Sequence, residues 1–485
     1  MTARARARWV VGAALVAGIA LRVAAVWVAP RFGYLPDHRD FLAWGSWAAA
    51  QGAPAIYDME PELVPLRLVA IDPNTRQPAN YMVFAPHGFN YPPFSAWVYW
   101  TKGVLFHAVE PSPPAIPVPP AVRAAFERHG LPATVEFRTI NTRLTWAVDA
   151  LPSFAFDLVL ALGVLALVRV LRRAGPDDVA GPAAFALVLV SPVVFLDGAL
   201  WGQSDSWVTS MLVWCLVWWL RERWILAGAA YGLALVTKPQ AILFAPVLAY
   251  AFLALRFRPG GSWGRMAAAL WAVPAALFVV AVVAAPFMVH DARAGAGAWR
   301  WFQRSWVGTI GSDEYAYTTL NAFNLWWLDL VRQRPATDDW WGLLDSHAPV
   351  ALGLSKDTAG ALLLGLALLG GAVACARRLR WSHASCVAFA FVVLLSAFLL
   401  PTRVHERYVY YCVPLVTALA VHRRAWLPVW ATMTAVGTAE MLSHLFVSAA
   451  PASLALSGLL AAAAVCTLPL ALVALAVDPV ERTRT

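Results

Sequence analysis

The stretch Pro92-Pro93-Phe94-Ser95-Ala96-Trp97-Val98-Tyr99-Trp100-Thr101-Lys102-Gly103-Val104-Leu105-Phe106-His107-Ala108-Val109 decides the orientation of everything after it. At about 18 residues, it sits at the lower limit for a helix that crosses a bilayer. If it does not cross, the later helices place Arg172-Arg173, Arg221, Arg223, Arg256 to Arg265, Arg377 to Arg380, Arg423-Arg424 and the Glu481-Arg482-Thr483-Arg484 tail all in the cytoplasm. If it crosses, every one of these clusters is exported. Because short cytoplasmic loops collect Arg and Lys, the first arrangement is expected. Residues 31–143 then form one long outer loop, with Pro92 to Val109 an interfacial or re-entrant helix inside it.

Composition places the chain in a bilayer. Of 485 residues 60% are hydrophobic and 13% charged, against about 25% charged in an ordinary soluble domain. The net charge of +9 reads as topology, with no call for nucleic acid. The 25 tryptophans suit anchoring at the two headgroup levels. Cys215, Cys375, Cys386, Cys412 and Cys466 lie in or beside apolar spans without metal-ligand spacing, so neither a disulfide framework nor a zinc site is indicated. The scarcity of lysine and abundance of alanine fit a GC-rich bacterial genome and hence a bacterial plasma membrane, while an endoplasmic-reticulum location would keep the same sidedness.

Met1 to Arg8 carries three arginines and precedes an apolar run from Trp9 to Ala29, long enough to span and too long for a secretory signal. Further spans are expected near 144–171, 179–200, 206–220, 224–237, 241–255, 266–288, 358–376, 382–400, 408–421, 425–446 and 453–477. The expected fold is all-α: a single polytopic membrane domain over 1–485 with about twelve transmembrane helices and both termini cytoplasmic. A second large outer segment covers 289–357, and the Pro-rich piece Pro111 to Pro120 is read as an irregular spacer.

In this topology the polar clusters share the outer surface. They are Asp37 and Asp40 in Pro36-Asp37-His38-Arg39-Asp40, Asn90-Tyr91-Pro92-Pro93, Gln203 with Asp205, Lys238-Pro239-Gln240, and Arg403-Val404-His405-Glu406-Arg407. Polar groups near hydrocarbon are expensive and tend to line functional cavities, so their convergence points to an outward-facing site. Each cluster also has a plainer reading. The Asp37–Asp40 run reads as a self-paired loop, Tyr91-Pro92-Pro93 as a helix start, and Gln203 and Asp205 as a cap. Lys238-Pro239 reads as a break in a membrane hairpin. Two arginines and a histidine in one outer turn run against the positive-inside bias, which favours a bound anion there. Glu440 and His444, at i and i+4, are read as a structural pair.

Taken in order, Asp40 with Trp47 seven later, Gly52, Tyr57, Tyr91-Pro92-Pro93, Gln203, Asp205, Lys238-Pro239-Gln240, Asn321 to Trp327 and His405-Glu406-Arg407 resemble the C-type (GT-C) glycosyltransferases. The nearest likeness is to the glucosyltransferases of asparagine-linked glycosylation and their bacterial mannosyltransferase-like relatives. The resemblance implies a polyprenyl-phosphate-linked sugar as donor and inverting transfer of a hexose, mannose or glucose, on the extracytoplasmic face. The acceptor it implies is a lipid-linked glycan, a glycolipid or a protein. It implies Asp40 as base, with Asp37 placed to share or take that role. Donor-phosphate binding falls to His405, Arg407, Arg403 and Lys238, and the substrate pocket to Tyr91, Pro92, Gln203, Asp205 and Glu406. No cofactor is required; a divalent cation, Mg²⁺ or Mn²⁺ held by Asp37 and Asp40, is the open possibility. The chemistry agrees, since a carboxylate can take the proton of an attacking hydroxyl while fixed cations receive the charge developing on the phosphate. The rival class is a transporter or flippase of a lipid-linked or anionic substrate, which calls for broken helices in two related halves and polar groups at mid-membrane.

Overall fold

The computed structural model describes residues 2–59, 67–71, 78–80, 87–109, 115–117, 134–175, 177–311, 317–333, 345–350, 353–445 and 454–477. Every run read as a span is a helix or a helix in pieces, and the chain is a helical integral membrane protein. The elements in order are α1 (Ala3–Phe32), α2 (Leu35–Gln51), α3 (Pro93–Val109), α4 (Arg143–Arg172), α5 (Ala180–Leu189), α6 (Asp205–Leu220), α7 (Trp224–Leu235), α8 (Ala245–Phe257), α9 (Trp263–Ala269), α10 (Ala272–Arg293), α11 (Leu325–Gln333), α12 (Lys356–Leu379), α13 (His383–Leu399), α14 (Val413–His422), α15 (Leu427–Leu445) and α16 (Leu454–Val477). Among the described residues six stretches are long and apolar enough to cross a membrane: Ala3–Phe32, Arg143–Arg172, Pro239–Phe257, Trp263–Arg293, Lys356–Leu379 and Leu456–Val477. A seventh is bent by 46° where α5 gives way to Pro192–Trp201, and α7 and α13 are shorter apolar helices.

Burial sorts these helices. Ala384 to Leu399 of α13 is wholly buried, and α6 buries everything except Trp214 and Trp218, so both belong to the centre of the bundle. In contrast, Trp263–Arg293 and Lys356–Leu379 bury only 17% of their apolar windows. A helix apolar all round and this poorly covered by protein is covered by lipid.

The helix α3 lies across the ends of other helices. Its first turn meets the C-terminal end of α7, where Phe94 N donates to Val236 O at 2.7 Å and Ser95 Oγ to Thr237 O at 2.6 Å. Lys102 reaches Asp149 near the start of α4, and Phe106 packs with Val148 and Leu42. The partners on α4 and α7 sit at one shared end of the bundle, as a non-crossing Pro92–Val109 stretch requires. At the opposite end Arg173, Glu222, Arg258, Arg265, Arg380, His383, His422 and Arg423, from five separate helix connections, line one cavity of about 410 Å³. The arginine-bearing connections after α4, α6, α8, α12 and α14 therefore share a side; the 481–484 tail lies outside the described residues.

The outer loop adds one element absent from the sequence reading. Four short strands, β1 (Arg67–Ile71), β2 (Pro78–Asn80), β3 (Ala115–Pro117) and β4 (Thr134–Ile140), form a sheet in the order β2-β1-β4-β3. The β1–β4 pair is parallel and the two outer pairs are antiparallel. The piece read as an irregular spacer thus contributes the edge strand β3, a position that tolerates proline. The rest of Pro111 to Pro120 lies outside the described residues.

The helices α2 and α3 touch backbone to backbone. A Cβ on Gly45 would come within 2.8 Å of Tyr99 O and 2.9 Å of Gly103 N, and one on Gly103 would collide with Gly45 O. Neither backbone can yield without parting the helices. Gly103→Ala is therefore expected to cost about 3 kcal/mol or more, above the ordinary range for overpacking, read as a lowered thermal midpoint in detergent. A midpoint equal to that of the unaltered chain would refute the contact.

Candidate active site

The helix α2 carries the carboxylates. It starts at Leu35-Pro36 with Asp37 in its first turn, where proline is favoured and an acid meets the positive end of the dipole. Asp37 Oδ2 accepts from Trp201 Nε1 at 2.8 Å and from Gln203 Nε2. Burial raises the Asp37 carboxyl above its ordinary value, against the pull of Arg407 and the Trp201 N–H. Asp40 is more enclosed, with its side chain 7% exposed; its Oδ2 lies 2.7 Å from Nδ1 of His87, whose side chain is 70% exposed. Asp40 Oδ1 is buried without a hydrogen bond. One oxygen is thus held from the solvent side while the other is free to accept.

Behind this face is a buried ionic triad. Asp149 Oδ2 lies 3.0 Å from His38 Nδ1, and Asp149 Oδ1 accepts from Lys102 Nζ at 2.5 Å. Lys102 also donates to Gly202 O at 3.3 Å, and His38 stacks on Trp146 with ring centroids 3.8 Å apart. All three ionisable side chains are fully buried. Gly202 has φ +80°, and a Cβ there would run into the Asp149 carboxylate, so glycine is needed twice over.

The cationic side is built on α6 and the turn before α14. Asp205, the first residue of α6, takes Lys238 Nζ at 2.6 Å and the Tyr411 hydroxyl at 2.5 Å on Oδ1. Arg407 Nε faces Asp205 Oδ2 at 3.5 Å and Arg407 Nη1 faces Glu406 Oε1 at 3.6 Å. Those are ion-pair separations too long for hydrogen bonds, and both Arg407 Nε and Asp205 Oδ2 are buried without one. Burial alone would raise the Glu406 carboxyl, but His444, His405 and Arg407 hold it down at about 2. Burial, reinforced by the Arg407 charge, pushes the His405 imidazole below its ordinary value, so at neutral pH it is an uncharged donor. Tyr91 shares the cluster through its ring, 5.8 Å from Lys238 Nζ, and its carbonyl accepts from Tyr57 at 2.6 Å; Pro92 beside it is buried.

The second outer segment pins the Arg403–Arg407 turn. Leu320 N donates to Val404 O at 2.9 Å, Glu406 N to Leu320 O at 3.2 Å, and Arg403 N to Tyr317 O at 3.2 Å. Asn324 Oδ1 caps α11 by accepting from Trp326 N and Trp327 N, which accounts for the Asn321 to Trp327 motif. Glu440 and His444 do not pair as read from the sequence. Glu440 Oε1 accepts from Phe323 N at 2.5 Å, and His444 stacks on Trp201 at 4.6 Å with Asn321 Nδ2 3.5 Å from its Nδ1. Arg403 goes to Asp357 Oδ2 at 3.1 Å on α12. Asp37, Gln203, Tyr91, Asp205, Lys238, Glu406 and Arg407 come together, linked through Trp201 and Asp205, while Arg403 is held apart.

Residues missed by the sequence reading are His87, Lys102, Tyr411 and Asp197, while Trp201 stands at the head of the Gln203–Asp205 cluster without an assigned role. Lys102 had a signal: a lone lysine in an apolar helix needs a partner or water. Asp197, in a π-helical turn over Leu196–Trp201, is buried with neither carboxylate oxygen hydrogen-bonded. As a candidate metal pair Asp37 and Asp40 are a poor fit, because Asp37 Oδ2 is already occupied by two N–H donors. Among the described residues no three His, Cys, Asp or Glu converge as a ligand set.

No family model matches the chain, and no curated protein does. Among solved structures it is similar to ArnT from Cupriavidus metallidurans bound to undecaprenyl phosphate, at 13% identity and a TM-score of 0.41 over 95% of this chain and 76% of that one. It is also similar to the Archaeoglobus fulgidus oligosaccharyltransferase tethered to an acceptor peptide, at 14% identity and a TM-score of 0.34 over 96% of this chain and 56% of that one.

Removing Asp149 would leave the Lys102 charge buried alone, a loss of about 3–5 kcal/mol. Asp149→Asn is expected to lower the thermal midpoint accordingly, and Lys102→Met added to it should recover most of the loss. If the double variant were less stable than Asp149→Asn alone, the two residues would not act as an ion pair.

Proposed function

We propose that this chain is a C-type glycosyltransferase that moves a hexose, mannose or glucose, from a polyprenyl-phosphate donor to a lipid-linked glycan, glycolipid or protein acceptor on the extracytoplasmic face of a bacterial plasma membrane. The observation that carries the reading is Asp40. Its Oδ1 is buried without a hydrogen bond, on the same helix as an Asp37 that feels the charge of Arg407.

The step is a single inverting displacement. Asp40 Oδ1 accepts the proton of the acceptor hydroxyl as its oxygen bonds to the anomeric carbon, and the bond from that carbon to the donor phosphate breaks on the opposite side. Charge then grows on the leaving phosphate, where Arg407 and the neutral N–H of His405 receive it. Arg407 is better suited than Lys238. Lys238 is already tied to Asp205 at 2.6 Å, whereas Arg407 meets both its carboxylates at 3.5 Å or more. Lys238 is read as the group that holds Asp205 in place, and Arg403, bound to Asp357, as a support for the turn. A lipid phosphate leaves without a proton, so no general acid is needed. The prenyl tail can remain in the bilayer beside a site at the ends of the spans.

The transporter reading has two observations in its favour, the 46° break after α5 and the mid-helix pair of Arg22 with Asp157 at 2.6 Å. It stands second because the pair's hydrogen bonds are taken up within the fold, by each other, by two backbone carbonyls and by the Tyr410 hydroxyl.

With polyprenyl-phosphate sugars and a membrane-lipid acceptor extract, Asp40→Asn is expected to lower kcat by about 10²–10⁴-fold and Arg407→Gln by about 10²–10³-fold. A chelator should leave turnover unchanged. Normal turnover by Asp40→Asn would transfer the base to Asp37. Labelled lipid crossing vesicle membranes without any glycosylated product would favour the transporter.

A further inference from the structure

The end of the bundle opposite the Asp37–Asp40 cluster holds a cavity of about 410 Å³ that the proposed transfer does not use. It is lined by five arginines, Arg173, Arg258, Arg265, Arg380 and Arg423, with His383 and His422, and by one acid, Glu222. Glu222 is taken twice, by Arg258 Nη2 and by Arg265 Nε at 3.6 Å. Arg258 Nη1 further lies 3.3 Å from His383 Nε2, Arg423 Nε lies 3.4 Å from His422 Nε2, and Arg265 Nη1 donates to Gly260 O at 3.1 Å. Arg173 and Arg380 line the cavity without an ion-pair carboxylate among the described residues.

A positive-inside bias explains arginines on this side of the membrane, but not their convergence. Exposed like charges at about 4 Å repel by roughly 1 kcal/mol even in bulk water, and more at a protein surface, so unassisted arginines would spread over the face. Here five helix connections bring them around one volume. Arg173 and Arg380 do so from the left-handed region, at φ 50° and 49°, where glycine is the usual residue at a helix end. The N-cap Ser382 and the first residues His383 and Ala384 of the 17-residue helix α13 form part of the same wall and add the partial positive charge of a helix N-terminus.

We propose that this cavity binds a phosphate-bearing anion, either the headgroup of an anionic phospholipid or a soluble phosphate. Guanidinium groups match phosphate oxygens in bidentate geometry, and the volume falls within the range of small-molecule sites. The bound anion would compensate the excess charge and tie together the connections after α4, α6, α8, α12 and α14.

The test uses the full chain in detergent. Native mass spectrometry after exposure to mixed phosphatidylcholine and phosphatidylglycerol micelles reads lipid capture, and equilibrium binding of radiolabelled inorganic phosphate at fixed ionic strength reads the soluble source. The comparison is between unaltered chain, Arg173→Gln with Arg380→Gln, and Arg377→Gln with Arg378→Gln, which removes two charges from the same helix end outside the cavity. Retention of phosphatidylglycerol over phosphatidylcholine identifies a headgroup site, and saturable phosphate binding identifies a soluble one. Either should weaken at least tenfold in the cavity variant and stay unchanged in the control. If the unaltered chain captures neither probe, or both variants weaken equally, the cavity is only an exposed basic face and the proposal falls. Thermal midpoints of the variants exclude misfolding, and the result for the unaltered chain stands without them.

Discussion

The carboxylate of Asp149, shared between Lys102 and His38 in the interior, is the interaction on which the outer half of the molecule depends. It joins α4 to α3 through Lys102 and to α2 through His38, and Lys102 adds the carbonyl of Gly202 in the turn before α6. Successive residues of an α-helix are about 100° apart around the axis. Fixing His38 against Asp149 therefore turns Asp37 and Asp40 to another face, where they meet Trp201, Gln203 and His87. A buried ion pair is weak evidence for stability, because desolvation offsets much of the attraction. Its value here is register. An apolar replacement would keep α2 attached to the bundle yet allow it to rotate, and a rotation of one residue would carry both carboxylates out of the cluster.

The opposite side of the cluster is held by backbone. The stretch from Tyr317 to Leu320 bonds to Arg403, Val404 and Glu406 as a short strand would, and Glu440 receives the Phe323 N–H that this path leaves over. The turn is consequently fixed before any side chain of Arg407 or His405 is considered. That leaves Arg407 between Asp205 and Glu406 at distances that satisfy neither fully. A guanidinium in that position is an incomplete network. Such networks are costly in a protein interior unless something completes them, and a phosphate oxygen has the right charge and geometry.

Much of this was legible in the sequence, for reasons that differ from one feature to another. Apolar runs and arginine counts act over whole segments, so the helices, the non-crossing α3 and the gathering of arginines at one end of the bundle followed from them. The outer polar clusters followed as well, because polar groups near lipid are rare enough to be noticed singly. Pairings were not legible. Glu440 and His444 have the i, i+4 spacing of a helix pair, worth only about 0.2–0.5 kcal/mol, whereas a buried backbone N–H left unsatisfied costs about 1–3 kcal/mol. The Phe323 N–H therefore takes Glu440, and only a folded chain places Phe323 beside it. Arg403 behaves alike: with φ 59° its backbone turns away from its neighbours, and its side chain meets Asp357 from another helix. The sheet of the outer loop depends on pairing β1 with β4 across more than sixty residues, beyond the reach of local pattern.

The break after α5 bears on what kind of machine this is. Pro192 lacks the N–H that would continue the helix, and in hydrocarbon the carbonyls so released must find donors. Arg22 supplies one. From within α1 its Nη1 donates to Leu189 O at 2.9 Å and to Gly18 O at 3.1 Å, while its Nε and Nη2 grip Asp157 Oδ2 at 3.1 and 2.6 Å. Asp157 Oδ1 in turn lies 3.3 Å from the Tyr410 hydroxyl. The bend is thereby locked to α1, to α4 and to the segment leading into α14 at once. A gate for alternating access must exchange partners between two states, and opening this one would strand a guanidinium and a carboxylate together at depth. A bend held in this manner supports a fixed site instead, since the π-helical turn that follows it presents Trp201 to Asp37 and leads directly into Gln203 and Asp205.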